Sequence, residues 1–261
     1  MRLATWNVNS LGARLPYVLE WLDANRPDVL CMQETKLADE AFPGSAFAEL
    51  GYESSHHGDG RWNGVAVVSR VGLERPACGL GDELDAQGCR LLAATCAGIR
   101  VHSVYVPNGR SLDSEQYGYK LDWLARFRSY LAEQCDPSSA VAVCGDFNIA
   151  PDDRDVWDPA HFVGATHVSP PEREALQSIL DWGLEDVFRR FHHEGGIFSW
   201  WDYRAGNFHK GQGMRIDLVL LSRPLAARAT SAMIDRDARK KSPAGNKPSD
   251  HTVVVVELGD A

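Results

Sequence analysis

Five short polar clusters mark this 261-residue chain: Trp6-Asn7-Val8-Asn9, Gln33-Glu34-Thr35-Lys36, Gly145-Asp146-Phe147-Asn148, Arg215-Ile216-Asp217 and Pro248-Ser249-Asp250-His251. Each lies at the edge of an apolar run, where a strand would hand its side chains to a loop. They supply carboxylates, amides and one histidine, and oxygen ligands of this kind suit a hard divalent cation rather than zinc. Singly, each cluster has an ordinary explanation. Asn7 and Asn9 suit a turn, and Glu34 is either a strand end reaching solvent or a ligand. Lys36 falls on the same side as Glu34 in an extended chain, placed to hold that carboxylate or to meet a phosphate. Five such clusters in one chain exceed what turn decoration requires.

Two clusters are sharper. After an apolar run, Gly145 permits a tight exit, and Asp146 and Asn148 then project to the same side. An aspartate held by a neighbouring amide can orient and deprotonate water, the task of a general base. Asp217 sits in an otherwise apolar segment and needs a buried partner, for which His251 is the candidate.

The elements that must position these residues follow from periodicity. Strands are expected at 3–5, 29–32, 65–69, 90–95, 100–104, 141–144, 216–221 and 253–258. Leu15, Val18, Leu19 and Leu22 form one helix face before Pro27 stops it. A second helix is expected over 115–134, with Leu121, Leu124, Phe127 and Leu131 inward, and a third over 171–182. No linker or long repeat divides the chain, so a single α/β domain over 1–261 is expected, with functional loops at strand ends. A weak echo links 4–9 and 141–148: an apolar strand ending in an asparagine-containing turn.

With 44% hydrophobic residues a sizeable core is affordable and a folded chain is expected. A net charge of -9 excludes a uniformly basic surface but leaves room for a local basic strip. Six cysteines form no Cys-x-x-Cys pair and no zinc spacing. No signal-like succession opens the chain and no apolar stretch is long enough to span a membrane, so a cytoplasmic, thiol-reduced protein is expected. His56-His57 and His192-His193 read as surface histidines.

Together these residues resemble the endonuclease/exonuclease/phosphatase superfamily, and more closely its exonuclease III group of abasic-site endonucleases. The resemblance runs from Trp6-Asn7 to Ser249-Asp250-His251. Its most specific segments are 30–36, 105–109, 145–150 and Phe198-Ser199-Trp200-Trp201-Asp202-Tyr203-Arg204 leading into Met214-Arg215-Ile216-Asp217. The tryptophan segment separates this group from inositol phosphatases, sphingomyelinases and deadenylases. The resemblance implies a four-layer α/β sandwich, two packed mixed sheets flanked by helices, with the site at one end.

It also implies roles. Glu34 is the principal Mg²⁺ ligand, with Mn²⁺ as a substitute, and Asn7, Asn9 and Asp250 lie nearby, bound directly or one step removed. Asp146 activates the water and Asn148 fixes its position. His251, held by Asp217, donates to the scissile phosphate; a His251 base backed by Asp217 is the competing scheme. Tyr105 and Asn108 complete the phosphate cradle. Trp200, Met214 and Ile216 correspond to an apolar sugar pocket, with Met214 where relatives often carry a larger aromatic. Arg61, Trp62, Arg110 and the basic segment Arg236, Arg239, Lys240, Lys241 and Lys247 are expected to meet duplex DNA. The implied activity is Mg²⁺-dependent cleavage 5′ to abasic sites with 3′→5′ exonuclease and 3′-end cleaning, by a monomer. The alternatives are another phosphodiesterase of the superfamily, acting on RNA or small phosphoesters, and a non-catalytic DNA-binding module.

Overall fold

Val29, Cys31, Val65 and Val67 face one apolar layer, while Leu30, Met32, Ala66 and Val68, their neighbours in sequence, face another. Strands that are apolar on both faces must be covered on both faces, and this dictates the layering. A computed structural model describes residues 1–81, 88–242 and 244–260. Its strands are β1 (Arg2–Asn7), β2 (Val29–Gln33), β3 (Glu53–His57), β4 (Val65–Ser69), β5 (Glu74–Cys78) and β6 (Leu91–Cys96). There follow β7 (Ile99–Tyr105), β8 (Val141–Asp146), β9 (Leu184–Asp186), β10 (Asp217–Ser222), β11 (Ala229–Asp235) and β12 (Val253–Leu258).

They form two six-stranded sheets, ordered β11-β12-β1-β2-β4-β3 and β5-β6-β7-β8-β10-β9. One core fills the space between the sheets, with Leu3, Val67, Val101, Cys144, Val219 and Val256 among its members. On the outer face of the first sheet, Val18, Trp21 and Leu22 of α1 (Leu11–Asn25) and Phe47 of α2 (Gly44–Glu49) pack over Ala4, Trp6 and Leu30. On the second sheet, α3 (Glu115–Gln134) and α4 (Pro170–Asp181) cover Val141, Val143 and Leu220. The arrangement is the expected four-layer sandwich.

The echo between 4–9 and 141–148 has a topological counterpart. β1 is parallel to β2 and antiparallel to β12; β8 is parallel to β7 and antiparallel to β10. The two strands occupy matching inner places in their sheets, and their polar ends meet. β2 and β7, β4 and β6, and β3 and β5 continue the match with the same pairing directions.

All four strands that sequence periodicity does not reveal (β3, β5, β9 and β11) are edge strands. Sequences such as Glu-Ser-Ser-His-His and Glu-Arg-Pro-Ala-Cys carry no apolar alternation because an edge facing solvent needs none. Gly145 also differs from expectation. It lies inside β8, and a Cβ there would stand 1.9 Å from the Val104 carbonyl oxygen. Its value is this close approach of β7, not a tight exit. Gly145→Ala is therefore expected to destabilise the fold by about 3 kcal/mol or more, visible as a lowered denaturation midpoint. None of the described helices is long and apolar enough to cross a membrane.

Candidate active site

Parallel and antiparallel pairing bring six chain segments to one end of the sandwich. In register, Asn7 lies beside Gln33, and Asp146 lies between Tyr105 and Asp217. Glu34 follows β2, and His251 precedes β12. The loops carrying these groups are laced together: Val8, Ser10 and Leu11 donate backbone N–H groups to the carbonyls of Gln33, Glu34 and Thr35. Asn9, Glu34, Lys36, Asn148 and His167 all have φ between 42° and 75°. Left-handed backbone at non-glycine residues is costly, and its clustering is typical of functional loops.

Asn7 is the bridge between the sheets. It is fully buried; its Nδ2 donates to Glu34 Oε1 at 2.8 Å and to Asp146 Oδ2 at 2.9 Å. Its Oδ1 accepts the Asn9 N–H at 3.0 Å, so the amide aligns two carboxylates and keeps one oxygen lone pair free. Asp146 also accepts from the Asn148 N–H at 2.9 Å and from Asn148 Nδ2 at 3.2 Å. His251 Nδ1 donates to Asp217 at 2.9 and 3.1 Å, leaving Nε2 3.8 Å from Asp146 Oδ2.

Charge in this site is unbalanced toward acid. Burial, reinforced by Asp217 and Glu34, pushes Asp146 up to about 7 against the pull of His251 and Asn7. Burial works against a charged His251, but Asp217, Asp146 and Asp250 outweigh it and raise the imidazole to about 10. Burial and the carboxylates of Glu34 and Asp146 hold the Tyr105 phenol well above its ordinary range, so it stays protonated. Asp250 is held below its usual value: burial opposes its charge, but His251 and hydrogen bonds from Asn9 and Trp200 prevail.

Glu34, Tyr105, Asp146, Asn148, Asp250 and His251 line a cleft of about 310 Å³, with Trp200, Met214 and Ile216 on its wall and Asn108, His167, Asp202 and Arg204 around it. Trp201 turns into the core at 1% exposure, while Trp200 stays on the cleft wall and donates Nε1–H to Asp250 Oδ2 at 3.1 Å. Adjacent residues on an extended segment face opposite ways, which explains the split. Ser199 Oγ accepts the N–H groups of Ile216 and Asp217, tying the tryptophan segment to β10.

With this arrangement in view, the comparisons with known proteins are decisive. The sequence pattern of the endonuclease/exonuclease/phosphatase family matches residues 4–251. The chain belongs to that family. It is 35% identical to exodeoxyribonuclease III of Haemophilus influenzae, over 99% of this chain and all of that protein. An AP endonuclease structure from Archaeoglobus fulgidus is 39% identical with a TM-score of 0.94, each chain covered to 99%. A 3′-phosphatase from Neisseria bound to a product DNA hairpin is 38% identical with a TM-score of 0.94, and both chains are covered completely.

Family membership raises the question of a metal, and the donor set fits one. Glu34 and Asp146 each offer a carboxylate oxygen here, and His251 lies with them inside 4.8 Å. With Nδ1 bonded to Asp217 and its ring held protonated, the imidazole is a hydrogen-bond donor and not a ligand. Four carboxylates (Glu34, Asp146, Asp217 and Asp250) converge here, Asp146 with its proton affinity raised, and such crowding is what a divalent cation relieves. The set expected around Glu34 is Asn7, Asn9 and Asp250, bound directly or one step removed. Asp250 is engaged by Trp200 and by Asn9 Nδ2 at 2.8 Å, and Asn9 Oδ1 accepts from Lys36 Nζ at 2.6 Å. Asn9 thus connects to Glu34 through Lys36, which pairs with Glu34 Oε2 at 2.9 Å, and Asp250 joins one bond further along, through Asn9.

The remaining sequence candidates spread over the rim. Arg61 and Trp62 are exposed, Trp62 at 78%, on a loop whose residues 63 and 64 accept the backbone N–H groups of Lys36 and Thr35. Arg110 is exposed beside Asn108, to whose Oδ1 its N–H donates. Lys240, Lys241 and Lys247 line a separate groove, and Lys240 pairs with Asp237 at 2.5 Å. Of the paired histidines, His193 is exposed as expected, while His56, His57 and His192 are half-buried. His56 is wedged between Thr35 Oγ1 and Asp39 at 2.7 Å each, its side chain 4% exposed, and His192 donates to the Ala232 carbonyl.

Sequence reasoning missed a buried cation beneath the site. Lys120 and Glu172 are fully buried and paired at 2.5 Å. Lys120 Nζ also donates to the carbonyls of Asn148 at 2.7 Å and Asn108 at 3.3 Å, and Glu172 accepts the His167 N–H at 2.9 Å. His167 Nε2 in turn contacts Asn148 Oδ1 at 3.1 Å and Asn108 Nδ2 at 3.2 Å. Helices α3 and α4 therefore pin the loops that carry Asn108, Asn148 and His167. Lys120→Met strands the Glu172 charge and should cost about 3–5 kcal/mol. The double variant Lys120→Met, Glu172→Gln should regain most of that stability in chemical denaturation while kcat/KM stays reduced by about tenfold or more. A single lysine in a helix face carries no sequence signal of this role.

Proposed function

We propose that this chain is a Mg²⁺-dependent DNA repair nuclease, with Mn²⁺ able to substitute, acting as a monomer on duplex DNA. It cuts 5′ to abasic sites, removes 3′ blocking groups and degrades 3′ ends. The observation that carries this reading is the meeting of Glu34, Asp146 and His251 beside a cleft walled by Trp200, Met214 and Ile216. Relatives named for AP endonuclease and for 3′-phosphatase action are equally similar to the chain, which supports both activities here. The six thiols are free of disulfides, which fits a cytoplasmic protein.

The chemistry follows from the donors. A bound cation would stabilise the negative charge that develops on the phosphodiester, and Glu34 would be its principal ligand with Asp146 alongside. Asp146, aligned by Asn7 and Asn148, accepts a proton from the attacking water. His251 keeps its own proton, because Asp217 faces Nδ1, and presents Nε2–H to the phosphate as an electrostatic donor. The protonated Tyr105 phenol stands ready for the leaving oxygen. Asn108, fixed against Asn148 at 3.1 Å, completes the phosphate cradle. Trp200 and Met214 offer apolar surface to a base-free sugar.

The test is a labelled duplex carrying one abasic analogue, beside undamaged and 3′-phosphorylated duplexes, each with and without Mg²⁺. Metal-dependent cleavage at the analogue and release of the 3′-phosphate are expected. Activity confined to 3′ ends would remove the abasic-site role, and no cleavage of any duplex would overturn the reading.

A further inference from the structure

Met214 and Ile216 reach the cleft from a segment just before β10, outside the ladders of both sheets. Isolated bridges join Met214 to Val156 on one side and to Trp200 on the other, and Trp200 is joined in turn to His251. Ala150, Val156, Met214 and Ile216 form an apolar patch of their own, with Trp200 packed against it. The wall of the cleft is thus a narrow ribbon. One edge is tied to the catalytic histidine and the other to the loop that carries Val156.

Arg215 fixes that second edge. It alternates with Met214 and Ile216, so its side chain leaves the opposite face of the ribbon, and it is fully buried. Its Nε and Nη2 donate to the two oxygens of Asp155 at 2.5 and 3.1 Å. Its Nη1 and Nη2 donate to those of Asp186 at 3.1 and 2.7 Å, and its backbone N–H donates to the Asp155 carbonyl at 2.8 Å. Arg189 brings a second guanidinium to Asp155, so two cations meet two carboxylates. Burial disfavours a charged Arg215, but Asp186 and Asp155 outweigh it and hold its proton more firmly than usual. Asp155 also accepts the Asp152 N–H at 3.1 Å, which ties the same carboxylate to the loop before Val156. Buried ion networks add little stability over apolar packing, but a bidentate fork fixes direction.

The substrates differ in what they ask of this wall. Cleavage 5′ to an abasic site and removal of a 3′-terminal nucleotide are one reaction. In both, water forms a new P–O bond, the P–O3′ bond breaks, and the leaving 3′ oxygen takes up a proton. In both, the phosphate departs still carrying a sugar, which must lie against the wall. Release of a 3′-phosphate breaks the same bond but brings no such sugar.

We propose that Arg215, clamped between Asp155 and Asp186, is a positioning residue for the apolar wall. Through Met214 and Ile216 it sets the preference of the centre for sugar-bearing phosphodiesters over bare 3′-phosphates. The proposal rests on the nuclease reading above.

Rates with Mg²⁺ on three duplexes provide the test: one with an abasic analogue, one undamaged and one 3′-phosphorylated. Arg215→Lys keeps the charge but loses the fork. It should lower kcat/KM on the sugar-bearing duplexes about tenfold or more, while 3′-phosphate release stays within about twofold. Asp186→Asn keeps the shape and leaves Asp155 in place, so it serves where Arg215→Lys does not fold. It should move the same ratio in the same direction by about threefold. Rates that fall in proportion on all three duplexes, or change on none, would overturn the proposal, because the network would then be structural alone. The nuclease reading is scored separately on the unmodified chain. Its failure to cleave any duplex would remove that reading and the proposal with it. Release of 3′-phosphate alone would remove the proposal and leave the 3′-end activity standing.

Discussion

Asp146→Asn is expected to lower kcat/KM on duplex DNA by about 10³–10⁴-fold, with little change in fold. The substitution keeps the shape and the oxygen that accepts from the Asn148 N–H, but removes the group able to take a proton. Because burial and the neighbouring carboxylates raise Asp146 to about 7, activity of the unmodified chain should climb as pH rises toward that value. It should fall again as His251 loses its proton near 10. A bound cation adds positive charge beside Asp146 and moves the acid limb to lower pH, so higher Mg²⁺ should shift that limb downward. The profile also separates the two candidate bases. A His251 base would need its proton removed and would give activity rising through about 10, the opposite sign. An Asp146→Asn chain that keeps most of its activity at saturating Mg²⁺ would end the assignment of Asp146 as base.

His251→Gln should lower kcat by about 10²–10³-fold, the usual loss when one preorganised donor to a developing charge is removed. Asp217→Asn should act through the same histidine: it leaves the imidazole in place but takes away the carboxylate 2.9 Å from Nδ1. Its effect should appear as a basic limb displaced to lower pH, which a purely structural loss would not produce. The sign for stability follows from the same shift. The folded-state value of about 10 exceeds the ordinary value of 6.5, so the contribution is complete at lower pH and fades as pH rises through 10. The gap in denaturation midpoint between the unmodified chain and Asp217→Asn should therefore narrow in alkaline buffer. A constant gap across that range would contradict the ion pair.

The central strands and the long helices were legible because their residues obey local rules. Val65–Ser69 and Glu115–Gln134 appear where expected, since burial on a fixed face enforces a period that the sequence displays. Edge strands such as Glu53–His57 escaped because solvent satisfies half of their needs. In the site, the pairing of Asp217 with His251 was foreseeable: a carboxylate in an apolar segment must find a partner, and one histidine stood at a comparable strand edge. The part played by Lys120 was not foreseeable. Its neighbours Asn108, Asn148 and Glu172 are 12, 28 and 52 positions away, and no periodicity links them.

The sequence alone determined which groups exist to do chemistry and which strands carry them, and these are properties of residue type and local order. The cation and the phosphodiester entered through the resemblance to a known family. Tertiary structure decided how the groups share the work. It made Asn7 a donor to two carboxylates, linked Asn9 and then Asp250 to Glu34 through Lys36, and turned Trp200 outward and Trp201 inward. Those outcomes depend on hydrogen-bond directions and burial between segments far apart in the chain, which are settled only when the two sheets pack.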